Sequence, residues 1–352
     1  MSHYALFHLP GTNQYVRISQ HGLNPTHISH LNELGKQHGF VFAPFAQDAQ
    51  HPVWLIEPDE VECCPLTEEP ADDGTAVGGS LLPHDDHTEH ETYALDFASF
   101  HHQVHTGRLR KIVLARSSRR QTLAPCNAEA LFLKACRRYP QQFVALVVLP
   151  EAGTWLMASP ETLLEQGDDG LWHTMALAGT MQTDSPFGQL QKVTWSDKNR
   201  EEQHYVSTYV EEVLRRHATN ISVTEPYTTR AAHLVHLRSD FTFRLSSPEE
   251  MGSLVADLHP TPAVCGIPKD EAFRFILSKE SSPRRYYSGF CGPVGLTVGT
   301  HLFVSLRCME IGATHITLHA GGGILSESTI ETEWNETKQK MQTMLDLVRS
   351  EE

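Results

Sequence analysis

Carboxylates and glycines crowd the segment Leu318-His-Ala-Gly-Gly-Gly-Ile-Leu-Ser-Glu-Ser-Thr-Ile-Glu-Thr-Glu-Trp-Asn-Glu-Thr-Lys-Gln-Lys340. Gly321, Gly322 and Gly323 are read as a turn whose backbone takes positive φ and gathers its N–H groups, and the helix start that follows adds the positive end of its dipole. Such a place suits a phosphate or a carboxylate. Ser328 with Glu331 reads as a capping box, which predicts a helix from about Thr329 to Val348 with Ile330, Trp334, Met341, Leu345 and Val348 on its apolar stripe. Glu333, Glu336 and Lys340 then fall one turn apart beside that stripe. Acids are also ordinary in a first helical turn, so capping and metal ligation both remain open for them at this point.

Four other residues carry potential chemistry. Glu202 precedes Val206, Val210 and Val213 on the buried side of a helix predicted from Asp197 to Arg216, so it is either a helix-start acid or a metal ligand. Two helices offering carboxylates to one centre would suit Mg²⁺, a hard ion that takes oxygen ligands and keeps exchangeable waters. Lys111 opens a strand whose same-face neighbours are Val113 and Ala115. It is either a desolvated lysine able to act as a base or a strand-edge gatekeeper. Glu161 follows Ala158-Ser-Pro, where the chain turns from one strand to the next and a side chain can project into a cleft. Arg307, in Phe303-Val-Ser-Leu-Arg-Cys-Met, is a charge inside an apolar strand and calls for a carboxylate partner, which a substrate could supply.

The elements that must position these residues are strands in hairpins and separate long helices. Phe143–Leu149 with Thr154–Ser159, Glu161–Gln166 with Leu171–Leu177, and Thr300–Ile311 with Thr314–His319 read as hairpins. Helices are predicted over Tyr93–Arg108, Asp197–Arg216, Pro248–Leu258 and Asp270–Ser278, with a strand at Lys111–Arg116. This pattern argues for an α+β fold with antiparallel sheets rather than a βαβ repeat. Residues 1–91 are read as the N-terminal part of the same fold, with an acidic loop at about 65–91, and 92–352 as the catalytic core. His84, His87 and His90 fall in that loop, where nothing apolar would hold a metal site rigid.

Composition narrows the function. A chain of 352 residues, 40% hydrophobic, can bury a large core. A formal charge of −15 speaks against nucleic acid or an anionic membrane as partner. Seven cysteines without a CxxC pair argue against disulfides and structural zinc, and they are read as reduced and buried. With no basic, apolar leader at its start and no run of membrane-spanning length, the chain is read as cytoplasmic.

Taken in order, Lys111-Ile-Val-Leu-Ala-Arg, Ala158-Ser-Pro-Glu-Thr-Leu-Leu, Leu177-Ala-Gly-Thr, Lys198-Asn-Arg-Glu-Glu, Leu234-Val-His-Leu, Leu258-His-Pro-Thr-Pro-Ala-Val-Cys-Gly-Ile-Pro, Arg285-Tyr-Tyr-Ser-Gly, Val304-Ser-Leu-Arg-Cys, Ala320-Gly-Gly-Gly-Ile and Glu333-Trp-Asn-Glu resemble the chorismate-utilising enzymes. Within that family they resemble isochorismate synthases. The likeness covers roughly Thr92 to Arg349, and the first ninety residues match poorly. The resemblance implies a single chorismate-binding domain of two antiparallel sheets packed together and flanked by helices, with Mg²⁺ as cofactor bound by Glu202 and Glu336 with Glu333 nearby. It implies Lys111 as the general base that activates water for attack at C2, and Glu161 as the general acid that protonates the departing C4 hydroxyl. Arg307, Tyr287, Lys340 and the amides of Gly321, Gly322 and Gly323 match substrate-carboxylate contacts, while His236 and Ala263 match positions lining the ring pocket.

Related subfamilies differ at a few positions. Ammonia-using anthranilate synthases carry glutamine where Lys111 stands, so no glutamine amidotransferase subunit is expected. Aminodeoxychorismate synthases that form a covalent intermediate carry lysine where Ala178 stands. Alternatives that keep the same residues are a salicylate synthase, which goes on to eliminate pyruvate, and a catalytically silent chorismate-binding protein. Menaquinone and siderophore biosynthesis are the pathways the resemblance suggests. The Gly321-Gly-Gly run departs from the commoner Gly-Ala-Gly form.

Overall fold

A computed structural model describes residues 3–22, 24–67, 81–167, 169–182, 190, 193–231 and 234–348. Most of the acidic tract that begins at Glu68 lies outside them. Two antiparallel sheets form the body of the molecule. The first runs, edge to edge, Gly266–Ile267, Lys111–Gln121, His315–Ile324, Cys308–Ile311, Gly153–Ser159, Phe143–Leu149, His3–His8, Gln14–Gln20 and Glu60–Pro65. The second runs Ala218–Val223, Leu234–Leu245, Trp172–Gln182, Thr162–Gln166, His301–Val304, Phe290–Val294, Gly39–Ala43, Val53–Ile56 and Thr26–Ile28, with Tyr227–Ala231 also on Leu234–Leu245. The α+β expectation holds, and strands from the first 65 residues enter both sheets.

Six α-helices occur among the described residues: α1 His87–His105, α2 Ala128–Arg138, α3 Asp197–His217, α4 Glu250–Leu258, α5 Lys269–Lys279 and α6 Ile330–Val348. None is long and apolar enough to cross a membrane. Helix α1 starts well before the expected Tyr93. His87 and His90 therefore belong to a helix, and the His90 ring packs edge-on against Trp334 with centroids 4.9 Å apart.

The side chains alternate as strands require. Phe7, Phe42, Phe143, Trp155, Tyr286 and Phe303 fill the space between the sheets. Phe143 and Phe303 stack with centroids 4.1 Å apart. On the outer face of the first sheet, Leu318 and Ala320 meet Met341, Met344 and Leu345 of α6. On the second, Val206, Val210 and Val213 of α3 cover Leu163, Ala176 and Phe241.

Two segments expected to be simple hairpin strands change sheets instead. The chain leaves the first sheet at Ser159, passes Pro160 and Glu161, and joins the second at Thr162. It returns from Val304 in the second to Cys308 in the first through Ser305, Leu306 and Arg307. Arg307 thus lies between strands rather than within one, at φ +46°.

Three local expectations need correction. Gly321–Gly323 lie inside the strand His315–Ile324, opposite Ala115, Leu114 and Val113, and none of them has the positive φ expected of a turn. Helix α6 is capped by Thr329 and Thr332, whose hydroxyls each accept the other's backbone N–H at 3.3 Å, in place of Ser328 and Glu331. All seven cysteines are free, but Cys63 is exposed and Cys64 and Cys126 are partly so.

Candidate active site

The crossovers and the glycine strand converge on a cavity of about 610 Å³, counting its open mouth. Glu161, Glu202, His236, Ala263, Tyr287, Arg307, Gly321, Gly323 and Lys340 line it. Lys111, Gly322, Glu333 and Glu336 stand behind this wall.

Lys111 is fully buried, which overturns the edge-gatekeeper reading. Its Nζ lies 2.9 Å from Glu202 Oε1, with angles outside the hydrogen-bond range. Burial pushes the Glu202 carboxyl up, but the charges of Lys111, Lys198 and Lys340 outweigh it, and the net direction is below the ordinary value. Glu161 shows the opposite balance. It sits at the first crossover, 3% exposed, and burial pushes its carboxyl up to about 8 against the opposing charges of Lys111 and Lys340.

The three glycines provide room rather than a turn. A methyl group added at Gly323 would sit 2.3 Å from Glu202 Oε1 and 3.0 Å from Lys111 Cε. At Gly321 it would meet the Tyr287 hydroxyl at 3.0 Å, and at Gly322 it would meet Glu333 Oε2 at 2.8 Å. Alternation explains this: Gly321 and Gly323 face the space between the sheets, and Gly322 faces α6. The strand offers at least one carbonyl here, since Gly321 O accepts from Lys340 Nζ at 2.8 Å.

Each glutamate of the acid cluster has its own lysine. Glu333 Oε1 accepts from Lys198 Nζ and Glu336 Oε1 from Lys340 Nζ, both at 2.6 Å. Glu333 is 1% exposed and its Oε2 has no hydrogen-bond partner. Burial, and then the charge of Glu336, raise its pKa. Among the described residues no three acids, histidines or cysteines stand close enough to form a metal cluster as placed. Even so, the donor chemistry is of the kind a hard cation takes: three carboxylates, each beside a lysine, one with a buried oxygen left unpaired.

Arg307 is buried and, among the described residues, forms no ion pair, although the charge of Glu336 reaches it. Its two contacts are to Thr343 Oγ1 at 3.4 Å and His236 Nε2 at 3.1 Å. Burial lowers its pKa to about 10, still far above neutrality. Burial, then the charges of Arg307 and Lys340, hold His236 well below its ordinary value, so its imidazole is neutral. Because a guanidinium only donates, His236 Nε2 is the acceptor and Nδ1 carries the proton, donating to Thr180 Oγ1 at 3.1 Å. Thr180 follows a bulge at Gly179, whose φ is +69°.

The comparisons with known proteins agree on one family. The profile described as chorismate binding enzyme matches residues 66–349. This chain is a chorismate-binding enzyme. It is 30% identical over 249 residues to the isochorismate synthase EntC of Escherichia coli, a match covering 69% of this chain and 63% of that protein. To the isochorismate synthase MenF of Escherichia coli it is 31% identical over 249 residues, covering 70% and 57%. These matches span less than two thirds of either relative. The solved structure of the menaquinone-specific isochorismate synthase MenF of Escherichia coli shares the fold at a TM-score of 0.81 and 20% identity, covering 99% of this chain and 89% of that one.

Some residues of this chorismate-binding enzyme's site escaped the sequence reading. Lys198, Gly179 and Thr180 lie within quoted motifs, and only the packing reveals their contacts. His319 also lines the cavity; its place two residues before Gly321, on the same strand face, was the signal available.

Proposed function

We propose that this enzyme interconverts chorismate and isochorismate. The carrying observation is a buried carboxyl, Glu161, pushed up to about 8 on the wall of a cavity that also presents the buried Arg307. A carboxyl with that value is largely protonated at neutral pH and can give its proton to a leaving hydroxyl. Relatives named isochorismate synthase, each about 30% identical to this chain, support the same reading.

In this mechanism Lys111, once neutral, takes a proton from water as its oxygen bonds to C2. The ring double bonds shift, and the C4 hydroxyl leaves as water with the proton of Glu161. One water enters and one departs, so the reaction is a reversible isomerisation. Arg307, Tyr287 and Lys340 hold the substrate's carboxylates, while His236 and Ala263 shape the ring pocket. Glu202, Glu336 and Glu333 would hold Mg²⁺, whose charge would offset that of the dianionic substrate.

The test is incubation with chorismate, with and without Mg²⁺, followed by chromatography. Isochorismate formed only with Mg²⁺, reaching the same plateau from either side, is the expected result. Salicylate with pyruvate would move the assignment to the salicylate-forming reaction, and binding without turnover would leave a chorismate-binding protein.

A further inference from the structure

The strand Lys111–Gln121 has one buried edge whose partner is short. Gly266 and Ile267 pair with Ile112 and Lys111, and Cys265 O accepts from Val113 N–H at 2.7 Å. Beyond that point two side chains take the place of a strand. Arg284 Nη2 donates to Val113 O at 2.8 Å, and Glu280 Oε1 accepts from Ala115 N–H at 2.7 Å. Arg284 Nη1 also donates to Val264 O at 2.6 Å, while Nε and Nη2 donate to the Glu280 carboxylate at 2.6 and 2.7 Å. The guanidinium lies 4.2 Å from the Phe45 ring centroid, and the two charged side chains are 3% and 4% exposed.

Val113 and Val264 both line the cavity, one on the strand that begins with Lys111 and the other on the turn that carries Ala263. One planar guanidinium therefore joins two walls of the cavity from behind, and Glu280 fixes its plane. Stability alone does not call for charges here, since a buried ion pair gives back little more than its desolvation costs. What an apolar side chain or a lysine could not supply is a rigid fork with fixed donor angles.

We infer that Arg284, held by Glu280, is a positioning residue that sets the separation of these two walls and so the fit of the ring pocket to its substrate. This rests on the chorismate reading above and deepens it, because both side chains act through the backbone of Val113, Ala115 and Val264. Lys111 keeps its own pairing with Ile267, so loss of the fork should weaken binding and leave the chemical step in place.

The experiment compares wild type with Arg284→Lys, which keeps the charge without the fork, and with Val16→Ala, a buried stability control near the opposite edge of the first sheet. Chorismate Kd is read by titration calorimetry well below the melting range, with KM, kcat and Tm alongside. For Arg284→Lys the expected result is a rise of about tenfold in Kd and KM with kcat within about threefold, whereas Val16→Ala should lower Tm and leave Kd unchanged. Glu280→Gln leaves both carbonyl bonds of Arg284 possible and should raise Kd about threefold; it carries the test if Arg284→Lys does not fold. Wild-type Kd in the variant that carries the test, a fall in its kcat without a change in Kd, or an equal rise in Kd for Val16→Ala would overturn the inference. Failure of the wild type itself to bind chorismate would instead overturn the functional reading.

Discussion

Glu161 links chemistry to stability through one titration. Its folded-state pKa of about 8 lies above the ordinary carboxyl value because burial disfavours its charge. In its proposed role of general acid it must be protonated, so kcat/KM should fall as pH rises through about 8. Glu161→Gln should lose roughly two to four decades of kcat while still binding chorismate. The stability effect runs the same way. Below the ordinary carboxyl range both folded and unfolded chains are protonated and nothing is lost. Between that range and about 8 only the unfolded chain gains by ionising, so stability declines as pH rises. The Gln variant should therefore melt above wild type at pH 9, with the gap closing toward pH 5; equal melting at pH 9 would refute the raised pKa. The cleft-facing position of Glu161 was legible from the turn after Ala158-Ser-Pro, but its burial was not. Pro160 marked a turn, and turns usually expose their acids, whereas Glu161 sits on an inter-sheet passage that no local pattern encodes.

The His315–Ile324 strand and α6 work as a pair. The strand supplies backbone without side chains, and the helix sends Glu333, Glu336 and Lys340 toward it. Gly323→Ala would place a methyl 2.3 Å from Glu202 Oε1 and so shift the carboxylate and Lys111 together. We expect a loss of kcat/KM on the order of a hundredfold and, if the proposed Mg²⁺ requirement holds, a higher Mg²⁺ concentration for half-activation. Gly321→Ala, whose first contact is the Tyr287 hydroxyl at 3.0 Å, should act mainly on KM. Equal kinetics for the two variants would contradict this account. Helix α6 was legible because its apolar residues recur at helical spacing and reach the core of the first sheet. The glycine run was misread because a turn and a sterically bare strand share a composition; what separates them is the partner strand Lys111–Gln121, more than two hundred residues earlier.

At the scale of the whole molecule, the N-terminal segment is structural. His3–His8 pairs with both Gln14–Gln20 and Phe143–Leu149, and Gly39–Ala43 pairs with Phe290–Val294. A chain beginning at Leu66 would lose Phe7, Phe40, Phe42 and Trp54 from the space between the sheets. Single Phe or Trp truncations in cores cost about 3–5 kcal/mol each, and losing four exceeds the stability of an ordinary domain. Such a chain should lack a cooperative melting transition by circular dichroism; a folded, chorismate-binding product would show the segment to be dispensable. The sequence shows apolar patches there but no motif, because these strands are chosen by packing partners rather than by chemistry. The two passages between sheets carry a final implication. The passages are stitched to each other, Val304 N–H donating to the Glu161 carbonyl at 3.0 Å and Ala158 N–H to the Arg307 carbonyl at 3.1 Å, so Glu161 and Arg307 are carried like two rungs on one rail. A substitution that shifts either passage should therefore move both side chains together.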